Sequence, residues 1–168
     1  MIVGAFEKIK INGLSGGDIF DCSPEILAKI DTGAFSGVIH AENIQEENGI
    51  LSFDLMGKEK FRLETKDFTV RRVRNTHGGS KRRYLVGLEI QIGDEKFDTL
   101  LGLDDRSRMR FDMLLGRAFL NKYEILIDTH KNIEFDKEWK KIIKNGMSLD
   151  LSWSASAKKY LDLYQSKK

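Results

Sequence analysis

Along most of this chain the apolar positions recur at every second residue, the spacing that sends alternate side chains to opposite faces of a β-strand. Residues 2–11 carry Val3, Ala5, Phe6, Ile9 and Ile11 and predict a first strand ended by Asn12-Gly13. A short strand is predicted near Ile19-Phe20, and Pro24, the sole proline, opens the apolar run Ile26–Ile30. Gly37–Ala41 reads as the next strand. Residues 50–55 alternate toward Gly57-Lys58 and return over 61–63, the pattern of a hairpin. A longer hairpin follows, with Phe68, Val70 and Val73 on one arm, Tyr84–Ile92 on the other and a Gly78-Gly79 tip expected to be mobile. Strands are predicted again over 97–103, at Met113–Leu115 and over 123–128.

Helical spacing is confined to a turn or two at 118–122, to 137–145 with Trp139, Ile142 and Ile143 on one side, and to 154–165 with Ala157, Tyr160, Leu161 and Tyr164. The expected organisation is a mainly β domain over 1–146 and a helical extension over 147–168, which either packs on its own chain or reaches a partner subunit.

At 168 residues the chain suits one domain with a real core. No apolar run approaches the ~20 residues that span a bilayer, so no membrane association is expected. The N-terminal residues lack a basic stretch followed by an apolar one, which makes the cytoplasm the expected compartment. Cys22 has no partner for an intrachain disulfide and is expected to pack as a small apolar residue. His40, His77 and His130 are far apart, and neither H-E-x-x-H nor a P-loop occurs, so neither a metal nor another cofactor is expected.

The net charge is only +2, yet Arg71, Arg72, Arg74, Lys81, Arg82 and Arg83 place six positive charges and no acid in residues 71–83, leaving −4 elsewhere. Such a hairpin is either a solvated face or a surface that attracts an acidic partner. Nucleic acid is the weaker candidate, because residues 71–83 hold no Phe, Tyr or Trp for base stacking and the rest of the chain is net acidic.

The candidate chemistry lies at Ile30-Asp31-Thr32-Gly33-Ala34, an acidic residue on a Gly-containing turn directly after an apolar strand. Thr32 can hydrogen-bond to neighbouring backbone, Gly33 admits another chain to the carboxylate, and Ala34 leaves no bulk in the way. Asp-Thr-Gly alone is equally the signature of a strand-ending turn in which the Asp satisfies its own backbone. Asp128-Thr129-His130 is read as a turn of that second kind, since His replaces the Gly.

The order of apolar strand, Asp31-Thr32-Gly33-Ala34, Gly-tipped hairpin and Leu114-Leu115-Gly116-Arg117 before a short helix resembles the retropepsin-like aspartic proteases. Adding Ala28-Lys29, His40-Ala41 and Asp105-Arg106-Ser107-Arg108-Met109-Arg110 makes it most similar to a bacterial and archaeal branch labelled ATP-dependent zinc proteases and associated with ribosomal-protein glutamate ligases. The resemblance implies a closed β-barrel of the acid-protease fold, with a short helix after Leu-Leu-Gly-Arg and one or two C-terminal helices. It further implies a homodimeric aspartic endopeptidase, in which Asp31, Thr32 and Gly33 are catalytic and each chain supplies half of an Asp dyad. Ala34, Ser36, the flap residues His77, Gly78 and Gly79, and Arg72, Arg74 and Arg82 would contact a peptide substrate, expected to be acidic. Leu115, Gly116 and Arg117 would support the turn. A catalytically silent peptide-binding module using the same cleft is the alternative. Phe35 stands where viral members of the fold have an Asp that pairs with the Gly-Arg arginine, so Arg117 is expected to find another partner, with Asp105 and Asp112 as candidates.

Overall fold

The computed structural model describes residues 1–17, 20, 22–74, 80–132, 141, 144 and 145. The chain divides into two units, Met1–Phe135 and Asp136–Lys168. In the first, the strands are β1 (Ile2–Val3), β2 (Phe6–Leu14), β3 (Glu25–Asp31), β4 (Gly37–Glu47), β5 (Ile50–Leu55), β6 (Arg62–Thr65), β7 (Phe68–Arg74), β8 (Ser80–Ile92), β9 (Glu95–Asp104), β10 (Met113–Gly116) and β11 (Leu126–Ile127). One α-helix, α1 (Arg117–Lys122), follows β10. In the second unit residues 141, 144 and 145 are helical, and the rest of the segment expected as helix over 137–145 lies outside the described residues. So do the helix expected over 154–165 and the boundary expected at 146/147.

The strand order β10-β3-β2-β8-β9-β4 closes on itself, because β4 returns to pair with β10. This six-stranded closed barrel is the architecture the resemblance implied. Closure removes the exposed edges that an open sheet would leave. Alternate residues point inward, among them Ile9, Ile11, Ile39, Leu88, Ile90, Leu101, Met113 and Leu115, all fully buried. Each contributes about 1.5–3 kcal/mol relative to exposure. Strand β8 is long because it serves two roles: its first half pairs with β7 as a hairpin, and its second half pairs with β2 in the barrel wall. Among the described residues no helix is long and apolar enough to cross a membrane.

Several local expectations change. The first strand is interrupted at Gly4, where an added Cβ would lie 2.2 Å from the Lys131 carbonyl oxygen. Only the stretch before the break, β1, pairs with β11. Asn12-Gly13 is a bulge inside β2 rather than a turn, with the Asn12 side chain donating to Glu89 at 2.8 Å. Phe20 lies outside any strand and sets its ring against Phe61, while Ile19 is outside the described residues. The strand predicted over 123–128 shrinks to Leu126–Ile127, because Tyr123 caps the end of α1 and Glu124 follows with φ of 50°. Cys22 is exposed, not packed, since it sits on the connection between β2 and β3.

Candidate active site

The apolar alternation of Glu25–Asp31 carries β3 through the barrel wall and leaves Asp31 at its end, partly exposed. The Asp31 Oδ1 accepts the Gly33 N–H at 3.0 Å, and the Ala34 N–H closes the turn on the Asp31 carbonyl at 3.2 Å. Those bonds fix one carboxylate oxygen and leave Oδ2 without a partner among the described residues. A Cβ at Gly33 would stand 3.2 Å from that Oδ1, so the glycine keeps the approach to the carboxylate open. Thr32 is exposed beside it.

Strand β10 holds this turn from below. It runs parallel to β3, with Leu115 opposite Ile30 and Gly116 opposite Asp31, and antiparallel to β4, with Met113 opposite Ile39 and Leu114 opposite Val38. The 31–37 turn therefore straddles β10. A Cβ at Gly116 would come within 2.8–2.9 Å of the Ser36 backbone and the Ala34 carbonyl, and one at Gly37 within 2.9 Å of the Leu114 carbonyl oxygen. Both glycines are demanded by backbone proximity. Beyond Gly116, four successive carbonyls of the turn are taken by the start of α1. The Arg117 Nη1 donates to the oxygens of Thr32 (2.7 Å) and Gly33 (3.2 Å), the Arg117 amide to Ala34 (2.9 Å), and the Ala118 amide to Phe35 (2.8 Å). Arg117 is thus bonded to carbonyls, and neither Asp105 nor Asp112 is its partner. With Phe at position 35 the turn offers the guanidinium no carboxylate there, and Phe35 stands 64% exposed.

Ladder parity identifies the surface around Asp31. Directly opposed residues share a face, and alternate residues along a strand return to it. From Asp31 the face passes to Lys29, Leu114, Val38, Gly102 and Leu85, and then to Arg83 and Lys81. The Arg83 stem occupies the space over Gly102, where an added Cβ would lie 2.6 Å from Arg83 Cδ. Arg83 and Lys81 both bond the Asp104 carboxylate, Lys81 at 2.8 Å. Burial raises the Asp104 pKa, but these two cations outweigh it and hold the group below its ordinary 3.8. Arg72 and Arg82 oppose each other on the other face of the hairpin, with Arg82 over the Tyr84 ring. Arg72 and Arg82 are therefore not brought to the side of Asp31. His77, Gly78, Gly79 and the side chain of Arg74 lie outside the described residues. Lys29 and Arg83 share the sheet face of Asp31, and Arg106 lies within its field; the sequence placed Arg83 in the basic cluster but marked neither Lys29 nor Arg106 as a site residue. Register between distant strands was the missing signal.

The connection from β9 to β10 is anchored by His40. Its Nδ1 accepts the Arg106 amide at 2.9 Å, its own amide donates to Asp112, and its Nε2 lies 3.4 Å from Glu42. Arg106 donates from Nε to the Phe111 carbonyl at 2.9 Å. Burial lowers the Arg106 pKa against the pull of Asp104, Asp112 and Asp31, with Arg83 adding repulsion. His40, Glu42 and Asp105 together present ligand atoms within 4.8 Å of one another. However, the amide bond assigns the Nδ1 lone pair to Arg106 and the ring proton to Nε2, toward Glu42. His40 as it stands braces the connection through its bond from the Arg106 amide, with the Glu42 and Asp105 carboxylates at 3.4 and 3.9 Å from its ring nitrogens. Asp128-Thr129-His130 is a local turn in which the His130 amide donates to Asp128 at 2.9 Å.

A family model described as the retropepsin-like aspartic endopeptidase RimB matches residues 2–138. Among curated relatives, a protein of Shewanella pealeana named "Probable alpha-L-glutamate ligase" is 36% identical over 109 residues, covering 59% of this chain and 24% of the relative. One of the same name from Parasynechococcus marenigrum is 32% identical over 126 residues, covering 70% and 26%. The chain thus spans about a quarter of the length of the curated relatives it matches. A crystal structure of a protein of unknown function from Legionella pneumophila is similar at 26% identity with a TM-score of 0.56, covering 77% of this chain and 93% of the other.

Proposed function

Because the chain belongs to the RimB-like family of retropepsin-like aspartic endopeptidases, we propose that it hydrolyses peptide bonds with two Asp31 carboxyls paired across a homodimer, on acidic polypeptide segments. The observation that carries this reading is the seat of Asp31: one oxygen is fixed by Gly33, the other is open, and β10 and Arg117 hold the turn rigid. One chain has a single Asp-Thr-Gly and so supplies half of a dyad.

Two carboxyls at hydrogen-bond distance cannot both ionise cheaply and share one proton. The ionised member then takes a proton from water as that water attacks the scissile carbonyl, while the protonated member donates to the carbonyl oxygen. No covalent enzyme intermediate is needed. Thr32, exposed beside the carboxylate, would brace the two turns. Exposed Phe35, and the opposed pair Ile2 and Leu126 at 53% and 65% exposure, offer apolar surface for a second copy to cover. Placement in the cytoplasm accompanies this reading, as does the preference for acidic substrates, which rests on the cations near Asp31.

The ligase name of the curated relatives favours a second reading, a domain that holds an acidic segment without cutting it. Asp31→Asn and Asp31→Ala decide between them. Both variants should sediment as folded dimers and lose peptidase activity against an acidic peptide. Activity that survives Asp31→Asn, or a monomeric wild type that is fully active, overturns it.

A further inference from the structure

We infer that Arg83 and Arg106 form a carboxylate-binding subsite beside Asp31, which selects an acidic residue of the bound polypeptide; this rests on the cleft reading above.

The geometry starts from a missing side chain. Gly102 lies on the same sheet face as Asp31, between Val38 and Leu85, and nothing of its own fills that place. The Arg83 stem fills it instead and turns a floor otherwise lined by Leu114, Val38 and Leu85 into one bearing a guanidinium. The Arg83 side chain is only 20% exposed, and its Nε is buried with no hydrogen-bond partner. Leaving such a donor unsatisfied is costly, and its one strong partner, Asp104, is shared with Lys81.

Arg106 approaches from the β9–β10 connection. Its amide is fixed to His40 and its Nε to Phe111, so the guanidinium is held in place by its stem. No carboxylate lies within ion-pair distance of it among the described residues. It nevertheless stands beside Arg83, because its amide bonds His40, His40 lies opposite Asp104 in the β4–β9 ladder, and Arg83 bonds Asp104; the charges of Asp31 and Arg83 both act on it. Two partly buried guanidiniums that repel each other, with Lys29 on the same face, are brought to a lower energy by an added anion. A carboxylate suits the planar, forked donors of Arg, which grip two oxygens at once. Asp104 in the resting chain occupies part of that demand, and a substrate carboxylate would share or replace it.

The carboxylate could belong to a Glu side chain or to a chain terminus, and matched peptides separate the two. Wild type, Arg83→Gln, Arg106→Gln and the control Lys66→Gln, an exposed lysine on the β6–β7 connection, are compared on a Glu peptide and its Glu→Gln counterpart, each with a free and an amidated C-terminus. Binding to the Asp31→Asn background by fluorescence anisotropy is read alongside cleavage. The expected result is a preference for a carboxylate of about tenfold in the wild type, carried by KM, and lost in both Arg variants without a matching fall in kcat on the amidated Gln peptide. Arg→Lys at either position should restore part of it, which a merely misfolded variant would not allow. A preference that follows the side chain or the terminus names the source. A wild type that treats the amidated Glu and Gln peptides and the free terminus alike, or a preference untouched by either Arg variant, overturns the subsite. Failure of the wild type to cleave any peptide would instead count against the peptidase reading, and the anisotropy arm still decides the subsite.

Discussion

The Arg117 guanidinium lies 2.7 Å from the carbonyl oxygen of Thr32, two residues that are 85 positions apart in the chain. With the Gly33 oxygen at 3.2 Å, this one side chain fixes the peptide planes on either side of Gly33, in the turn that follows Asp31. Arg117→Met removes a charged donor from two carbonyls at an exposed site, so stability should fall by about 1–2 kcal/mol. Activity should fall further than stability, because the turn loses its orientation. Urea unfolding and peptide cleavage on the same preparation check this, and a variant of unchanged activity would show that β10 alone holds the turn.

Gly116→Ala should be far worse than its small size suggests. The added methyl meets backbone atoms of Ser36 and Ala34 at 2.8–2.9 Å, and neither can rotate away. A loss of about 2–4 kcal/mol, or failure to fold, is expected. Gly93→Ala is the comparison: its φ is +60° with open space around it, so only backbone strain of about 1–2 kcal/mol applies. Equal destabilisation of the two variants would contradict the close approach at Gly116.

Acid should weaken the fold partly through Asp104. Its pKa lies below the ordinary 3.8 in the folded chain, because Lys81 and Arg83 outweigh the raising effect of burial. A depressed folded pKa adds stability that is present above the unfolded value and is lost as pH falls through the folded one. The urea midpoint of the wild type should therefore drop below about pH 4, and Asp104→Asn should flatten that drop. Some slope should persist, since Asp54 is also held low by its bonds from Asn43 and Arg62 despite the opposing effect of burial.

His40→Gln should loosen the β9–β10 connection without unfolding the barrel. The wild-type imidazole accepts the Arg106 amide, and Gln can reproduce that bond only with a longer, more flexible side chain. Trypsin should cut at Arg106, Arg108 or Arg110 several-fold faster in the variant under native conditions. Mass spectrometry of the fragments locates the cut, and an unchanged rate would assign the anchoring to the Asp112 carbonyl bond alone.

Much of the fold was legible because its rules are local. Alternation marked the barrel strands, and Leu114-Leu115-Gly116-Arg117 marked the element that carries the turn. Alternation misled where a neighbour set the backbone, as at the Asn12-Gly13 bulge, which bends β2 in the middle of an apolar run. The six hairpin cations were visible as a cluster, yet their division was not: Arg82 and Arg83 are adjacent in sequence and point to opposite faces.

By itself the sequence determined that the chain is mainly β, that Asp31 sits on a Gly-containing turn after a buried strand, and that a Gly-Arg pair follows another such strand. Those are properties of short stretches, fixed by side-chain period, glycine steric freedom and residue type. The tertiary structure decided that β10 passes between β3 and β4, that Arg117 binds carbonyls rather than a carboxylate, and that Arg83 lies on the sheet face that carries Asp31 while Arg82 lies on the other. Each of these depends on register between strands distant in the chain, where a shift of one residue turns every side chain to the other face, and no local pattern encodes that choice.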